Sequence, residues 1–134
     1  MNSRPTFIQV TLILNGLVNL LSGLGLLFFP RWFFENIGNF PPYNRHSAGD
    51  AGAFLLPWGV ALLTAAREPE KHRTLIAVAT LANVLHALNH LIGDWVIERL
   101  PLEHLVKDNV PIVVLAGLLV VAYVRLIQAK DLPL

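Results

Sequence analysis

Four long apolar runs, separated by short polar or proline-broken connections, constrain this chain more than any motif in it. They cover about 7–29, 46–66, 74–97 and 110–127. At 1.5 Å of rise per residue, about 20 residues cross a hydrocarbon core of about 30 Å, and each run comes close to that length or exceeds it. Charged residues make up only 14% of the 134-residue chain, where a soluble domain carries about 25%. The expected main solvent is therefore lipid. In lipid each backbone N–H and C=O must be satisfied within the structure, and a helix does this locally. The sequence thus predicts an all-α integral membrane bundle of four transmembrane helices, one domain over 1–134, with an interfacial aromatic loop at 30–45.

Several function classes drop out. The formal net charge is +1 and no basic patch is dense enough for nucleic acid. With no cysteine there is no disulfide, thiolate metal site or thiol nucleophile. GxGxxG, P-loop, GxSxG and HExxH motifs do not occur. The first run is too long for a signal-peptide core, and its exit, Leu26-Leu27-Phe28-Phe29-Pro30, lacks a small-x-small cleavage pattern. It reads as a retained helix.

Along that helix Asn15, Gly16, Asn19, Ser22 and Gly23 share a stripe. Small residues permit close helix approach and amides are expected to hydrogen-bond across to a neighbour. Trp32, Phe33, Phe34, Phe40 and Tyr43 fit an interfacial belt, either as an anchored loop or as a short amphipathic helix over 31–37; Pro41-Pro42 then breaks any helix. Span two is crowded with small residues from Ser47 to Ala53, and Pro57 is expected to kink it. The charged turn from Arg67 to Arg73 is short, so spans two and three are expected to be antiparallel neighbours. Pro111 suits the first turn of span four; Asp108 and Asn109 ahead of it fit the outer mouth of the bundle, or a helix cap, which the position before Pro111 favours. Lys and Arg fall six on the side of the termini (Arg4, Arg67, Lys71, Arg73, Arg125, Lys130) and four on the other, which favours cytoplasmic termini.

Chemistry concentrates in a repeated pattern, His-x-x-Gly-Asp, at His46–Asp50 and His90–Asp94. Ionisable groups inside a membrane are costly and mark functional sites by default. Asp50 and His90 each lie 17 residues from the charged turn, and His46 and Asp94 each lie 21. At 1.5 Å per residue these are depths of about 25 and 31 Å, so an antiparallel hairpin would bring Asp50 level with His90 and His46 level with Asp94. Two imidazoles and two carboxylates suit a tetrahedral divalent cation, zinc first and iron or manganese as alternatives; the same groups can relay protons. The competing structural explanation is interhelical hydrogen bonding alone. His86, Asn19, Ser22 and Asn83 are candidates for a second ring of polar groups or a proton path. The Gly preceding each Asp is expected at a close-packing position.

The stretch Phe-Phe-Pro-Arg-Trp-Phe-Phe-Glu-Asn-Ile-Gly (28–38), followed by Asn-Arg-His-Ser-Ala-Gly-Asp (44–50), resembles small four-helix bacterial inner-membrane proteins of the DoxX-like kind. The resemblance implies a four-helix bundle in that membrane. A His-x-x-x-Asp on each of two spans is similar to the intramembrane zinc site of cation diffusion facilitator transporters, which have more spans and a cytosolic domain. Three functions compete: a small transporter acting as a homo-oligomer, an intramembrane enzyme using an Asp/His acid–base pair, or an accessory subunit of a larger membrane complex with the polar cluster structural.

Overall fold

The computed structural model describes residues 6–38 and 42–129, and among these the chain is helical with no strand. Arg4, Phe40, Pro41 and Lys130 lie outside the described residues. Helix α1 is Phe7–Phe28, α2 Pro30–Asn36, α3 Arg45–Ala65 and α4 Arg73–His90. The third span continues from α4 as a π-helix, Leu91–Ile97. A short α5, Leu102–His104, and a second π-segment, Leu105–Asn109, lead into α6, Val110–Gln128. Four helices are long and apolar enough to cross a membrane: Phe7–Phe28, Arg45–Ala65, Pro69–Ile97 and Val106–Gln128. The chain is therefore a multi-pass membrane protein with the four spans expected of it.

Local chemistry explains the ends. At α1 the Thr6 hydroxyl accepts from the Gln9 N–H at 3.3 Å, while the Thr6 N–H donates to Gln9 Oε1 at 2.9 Å. This reciprocal box satisfies two otherwise orphaned donors. Thr6→Ala should cost about 1 kcal/mol of local stability. The check is faster hydrogen exchange at Gln9 and Val10 with the middle of α1 unchanged. Asn44 caps α3, its Oδ1 accepting from the N–H groups of His46 and Ser47. The helical alternative holds for the segment after α1: α2 is started by Pro30 and joined to Tyr43 by a tilted Phe34–Tyr43 ring contact. Around the charged turn, Glu68 pairs with Lys71 and Glu70 with Arg73.

The helix order in space differs from the order expected. α3 packs along α1, α4 packs on α6, and α1 touches α6, whereas α3 and α4 meet only sparsely. The short turn joins spans two and three without making them close partners, because Gly52 and Gly59 of α3 face α1. A Cβ built on Gly59 would fall 2.5 Å from the Leu20 backbone, and one on Gly23 2.5 Å from the Leu56 backbone. Bare backbone is what lets these two helices touch. The glycines preceding the aspartates behave differently from expectation. Gly93 has open space where a Cβ would sit, and Gly49 has only the Arg45 guanidinium at 4.0 Å.

The core is gathered at the end of the bundle holding the charged turn. Leu12, Leu62, Ala65, Ala66, Ile76, Ala79, Leu119 and Leu126 are buried there, with Ile8, Trp58, Leu75 and Tyr123 packed against them. The Arg125 guanidinium lies over the Phe7 ring at 4.4 Å, tying α6 to the start of α1. Toward the opposite, distal end the packing thins, and in the first half of α3 only Gly52 is buried. Leu21, Leu81 and Val114 are among the large apolar side chains turned outward, as lipid-facing positions require.

The stripe amides also depart from expectation. Asn15, Asn19 and Asn83 donate to the carbonyls of Thr11, Asn15 and Ala79, four residues back in their own helices. Bonding to the preceding turn is the nearest available acceptor for a short amide, and here it replaces bonding across helices. Asn15 is fully buried and its Oδ1 has no hydrogen-bond partner among the described residues.

Candidate functional site

Both copies of His-x-x-Gly-Asp place their side chains by the same rule. Residues four apart lie on one face of a helix, so each histidine meets the aspartate one turn on. His46 Nε2 lies 3.4 Å from Asp50 Oδ2, and His90 Nδ1 lies 3.3 Å from Asp94 Oδ2. Axial counting predicts unlike partners level across the hairpin; the structure pairs them along each helix. The reason is the sparse contact between α3 and α4. Among the described residues no three His, Asp or Glu side chains come together as they would to hold a metal ion.

Burial separates the two copies. The His46 and Asp50 side chains are 88% and 61% exposed, while those of His90 and Asp94 are 16% and 5% exposed. The exposed copy sits in the opening turns of α3, where no helix covers it. The buried copy sits at the change from α- to π-winding in the third span. There the Glu98 N–H donates to the Gly93 carbonyl five residues back, and the Leu100 N–H donates to the Asp94 carbonyl at 2.8 Å. π-Turns inside membrane and soluble helices alike concentrate at functional sites, because the wider turn re-aims one side chain relative to the rest. Asp94 lies in this π-segment and is the one buried carboxylate among the described residues.

His86 extends the row. Its ring lies 4.8 Å from that of His90, edge to face. His86, His90 and Asp94 thus form a line along the third span, about 12 Å from first to last at 1.5 Å per residue. A His90 Nδ1–H donating to the Asp94 carboxylate makes Nε2 the acceptor nitrogen of the neutral ring. An imidazole so oriented takes a proton and has the carboxylate in place to stabilise the cation that results.

The remaining candidates fall elsewhere. Asn19 and Ser22 are half-buried on the stripe of α1 that includes Gly16 and Gly23, and those glycines face Leu63 and Leu56 of α3. They belong to the α1–α3 seam, away from His90 and Asp94. Asn83 is half-buried and bonded to its own helix, one turn below His86.

One residue has a place the sequence did not reveal. Asn109, expected as a cap for α6, makes no capping bond; its backbone is already helical and the π-turn of 105–109 runs straight into α6. It is 3% exposed, and neither its amide nitrogen nor its amide oxygen has a hydrogen-bond partner among the described residues. It lies beside an open apolar groove lined by Leu91 and Trp95, which flank Asp94 in the first π-segment. The sequence signal was the pair Asn109 and Pro111, which capping explains equally well. Compared with family models, curated proteins and solved structures, the chain shows no match to any of them.

Proposed function

We propose that this multi-pass membrane protein moves protons along the row His86–His90–Asp94 in the distal half of its third span, as part of transport across the membrane. The observation that supports it most directly is the arrangement of the three groups. They follow the axis of a spanning helix from mid-span to near its end, whereas a metal site or a hydrolytic centre needs groups that converge on one point. Burial of Asp94 beside a histidine gives the row a fixed end, and the exposed His46–Asp50 pair lies in the distal opening turns of α3. Four spans alone rarely enclose a path, so the working unit is a homo-oligomer. The setting that goes with this reading is a bacterial inner membrane with both termini cytoplasmic, as the distribution of Lys and Arg favours.

The test is proton flux into liposomes holding the purified protein and an internal pH dye, under an imposed pH gradient. A hydrogen bond to a charged group is worth roughly 1.5–3 kcal/mol, at about 1.4 kcal/mol per factor of ten, so His90→Gln and Asp94→Asn should each slow the flux about tenfold or more. His46→Gln should leave it within about twofold, because an exposed pair contributes roughly 0–1 kcal/mol. Flux in wild-type vesicles no faster than in protein-free vesicles would sink the proposal, as would equal flux in wild type and Asp94→Asn.

A further inference from the structure

Hydrocarbon offers no hydrogen bonds, so a polar group exposed at membrane depth has to be met by protein. Two flanks of this chain carry such groups. On the third span His86 and Asn89 are exposed, three residues apart on one flank. Asn15, Asn19 and Asn83 turn back onto their own helices, whereas the Asn89 amide has no hydrogen-bond partner among the described residues. On α3, Asp50, Ala53 and Pro57 are exposed, and their spacing of three and four puts them on one flank too. Pro57 has no N–H, so the Ala53 carbonyl lacks its regular donor four residues on. That flank therefore presents two acceptors, the Ala53 carbonyl and the Asp50 carboxylate, of which one oxygen meets His46.

The two flanks border the same open side of the molecule. The helices follow one another in space as α3, α1, α6 and α4, which leaves the side of α3 turned from α1 next to the side of α4 turned from α6. Asp50 stands about 200° round its helix from Gly52, which packs on α1. Asn89 stands about 200° from Leu91, which shares a groove with Val110 and Val113 of α6. Depth matches as well. Ala53 and Asp50 lie 14 and 17 residues from Arg67, and Asn89 lies 16 residues from Arg73. At 1.5 Å per residue these are about 21, 25 and 24 Å from the charged turn.

We infer that this side is where a second copy of the chain docks, in a two-fold dimer with its axis along the membrane normal. Half a turn about that axis sets α4 of each copy against α3 of the other, at unchanged depth. The Asn89 amide, with two N–H groups, then meets the acceptors on the partner's α3, and the contact occurs twice. An isologous interface requires one patch to be complementary to itself, and here donors and acceptors lie level on one side of one chain. A different protein covering this side would need no such match. The inference deepens the preceding reading by naming the face through which its homo-oligomer forms, and rests on that reading for the oligomer alone.

The chain has no cysteine, so introduced thiols report cleanly. Chains labelled with donor or acceptor dyes at Ala129→Cys, reconstituted in phosphatidylcholine vesicles, should show energy transfer that saturates as the protein-to-lipid ratio rises. Asn89→Leu removes two symmetry-related bonds at once and should move the midpoint about tenfold toward higher protein. Its helix content by circular dichroism should stay that of the parent, because Asn89 is exposed within one chain. Oxidation should join an Ala53→Cys chain to a Leu85→Cys chain at least about tenfold faster than it joins Leu14→Cys to Val121→Cys, two positions exposed on α1 and α6. Energy transfer at the level of random encounter in the parent, a midpoint within about twofold in Asn89→Leu, or equal cross-linking of the two pairs would overturn the interface. No pH gradient is applied, so a dimer without proton flux would sink only the proton row, and flux with the α1–α6 pair cross-linking faster would sink only the face named here.

Discussion

Gly59→Leu and Gly23→Leu should each separate α1 from α3. A Cβ at either position falls 2.5 Å from backbone atoms of the opposing helix, at Leu20 and Leu56 respectively. Backbone on both sides leaves no flexible side chain to give way. Overpacking of a core costs about 1–3 kcal/mol when side chains can adjust, so a clash with a helix backbone should reach about 4 kcal/mol or more. Helix association in a bilayer depends on such close approach, because lipid offers no hydrophobic force between helices. Unfolding of the purified protein by added SDS, followed by circular dichroism or Trp58 fluorescence, should show the loss. Gly117→Ala is the control: no atom lies within 4 Å of its Cβ position, and it should be neutral or up to about 1 kcal/mol more stable. Equal effects at Gly59 and Gly117 would remove the close seam between α1 and α3 from the account of the fold.

Asp94→Ala and Asp50→Ala, the same change in the same motif, should differ several-fold in effect. Breaking a buried pair strands its partner and costs about 3–5 kcal/mol, whereas an exposed pair contributes about 0–1 kcal/mol. With Asp94 buried against a mostly covered His90, and His46 and Asp50 largely exposed, only the first change should lower stability clearly. A second readout isolates the hydrogen bond itself. With ¹⁵N-labelled histidine, the His90 ring at neutral pH should carry its proton on Nδ1 in the parent protein and shift toward Nε2 in Asp94→Leu. His46, paired through Nε2 in an exposed turn, should barely respond to Asp50→Leu. An unchanged His90 tautomer in Asp94→Leu would mean that the carboxylate does not orient the ring, and the row would lose its fixed end.

These two predictions also mark how far the residues alone could lead. Each span was legible because about 20 apolar residues between polar breaks allow few alternatives in lipid. The His90–Asp94 stretch was legible as costly chemistry in an apolar segment. Its pairing was not. Spacing of four along a helix and level positions across a hairpin both fit the repeated motif, and the choice depends on which helices touch. That depends in turn on Gly23, Gly52 and Gly59, whose missing side chains bring α3 against α1 and leave α4 to α6. Asn109 was legible as a helix cap or as a residue at the outer mouth, and nothing local shows that a π-turn will carry the helix past it.

Sequence by itself therefore determined the solvent, the number of spans and the positions of the ionisable groups along them, all of which follow from local composition and a fixed rise per residue. Tertiary structure decided the rest. It determined that one His-x-x-Gly-Asp is buried and the other exposed, that three polar groups of the third span form a row, and that Asn109 is buried with both amide atoms unpartnered among the described residues. Burial belongs to neighbours rather than to a residue, and the neighbours here are set by where backbone can approach backbone.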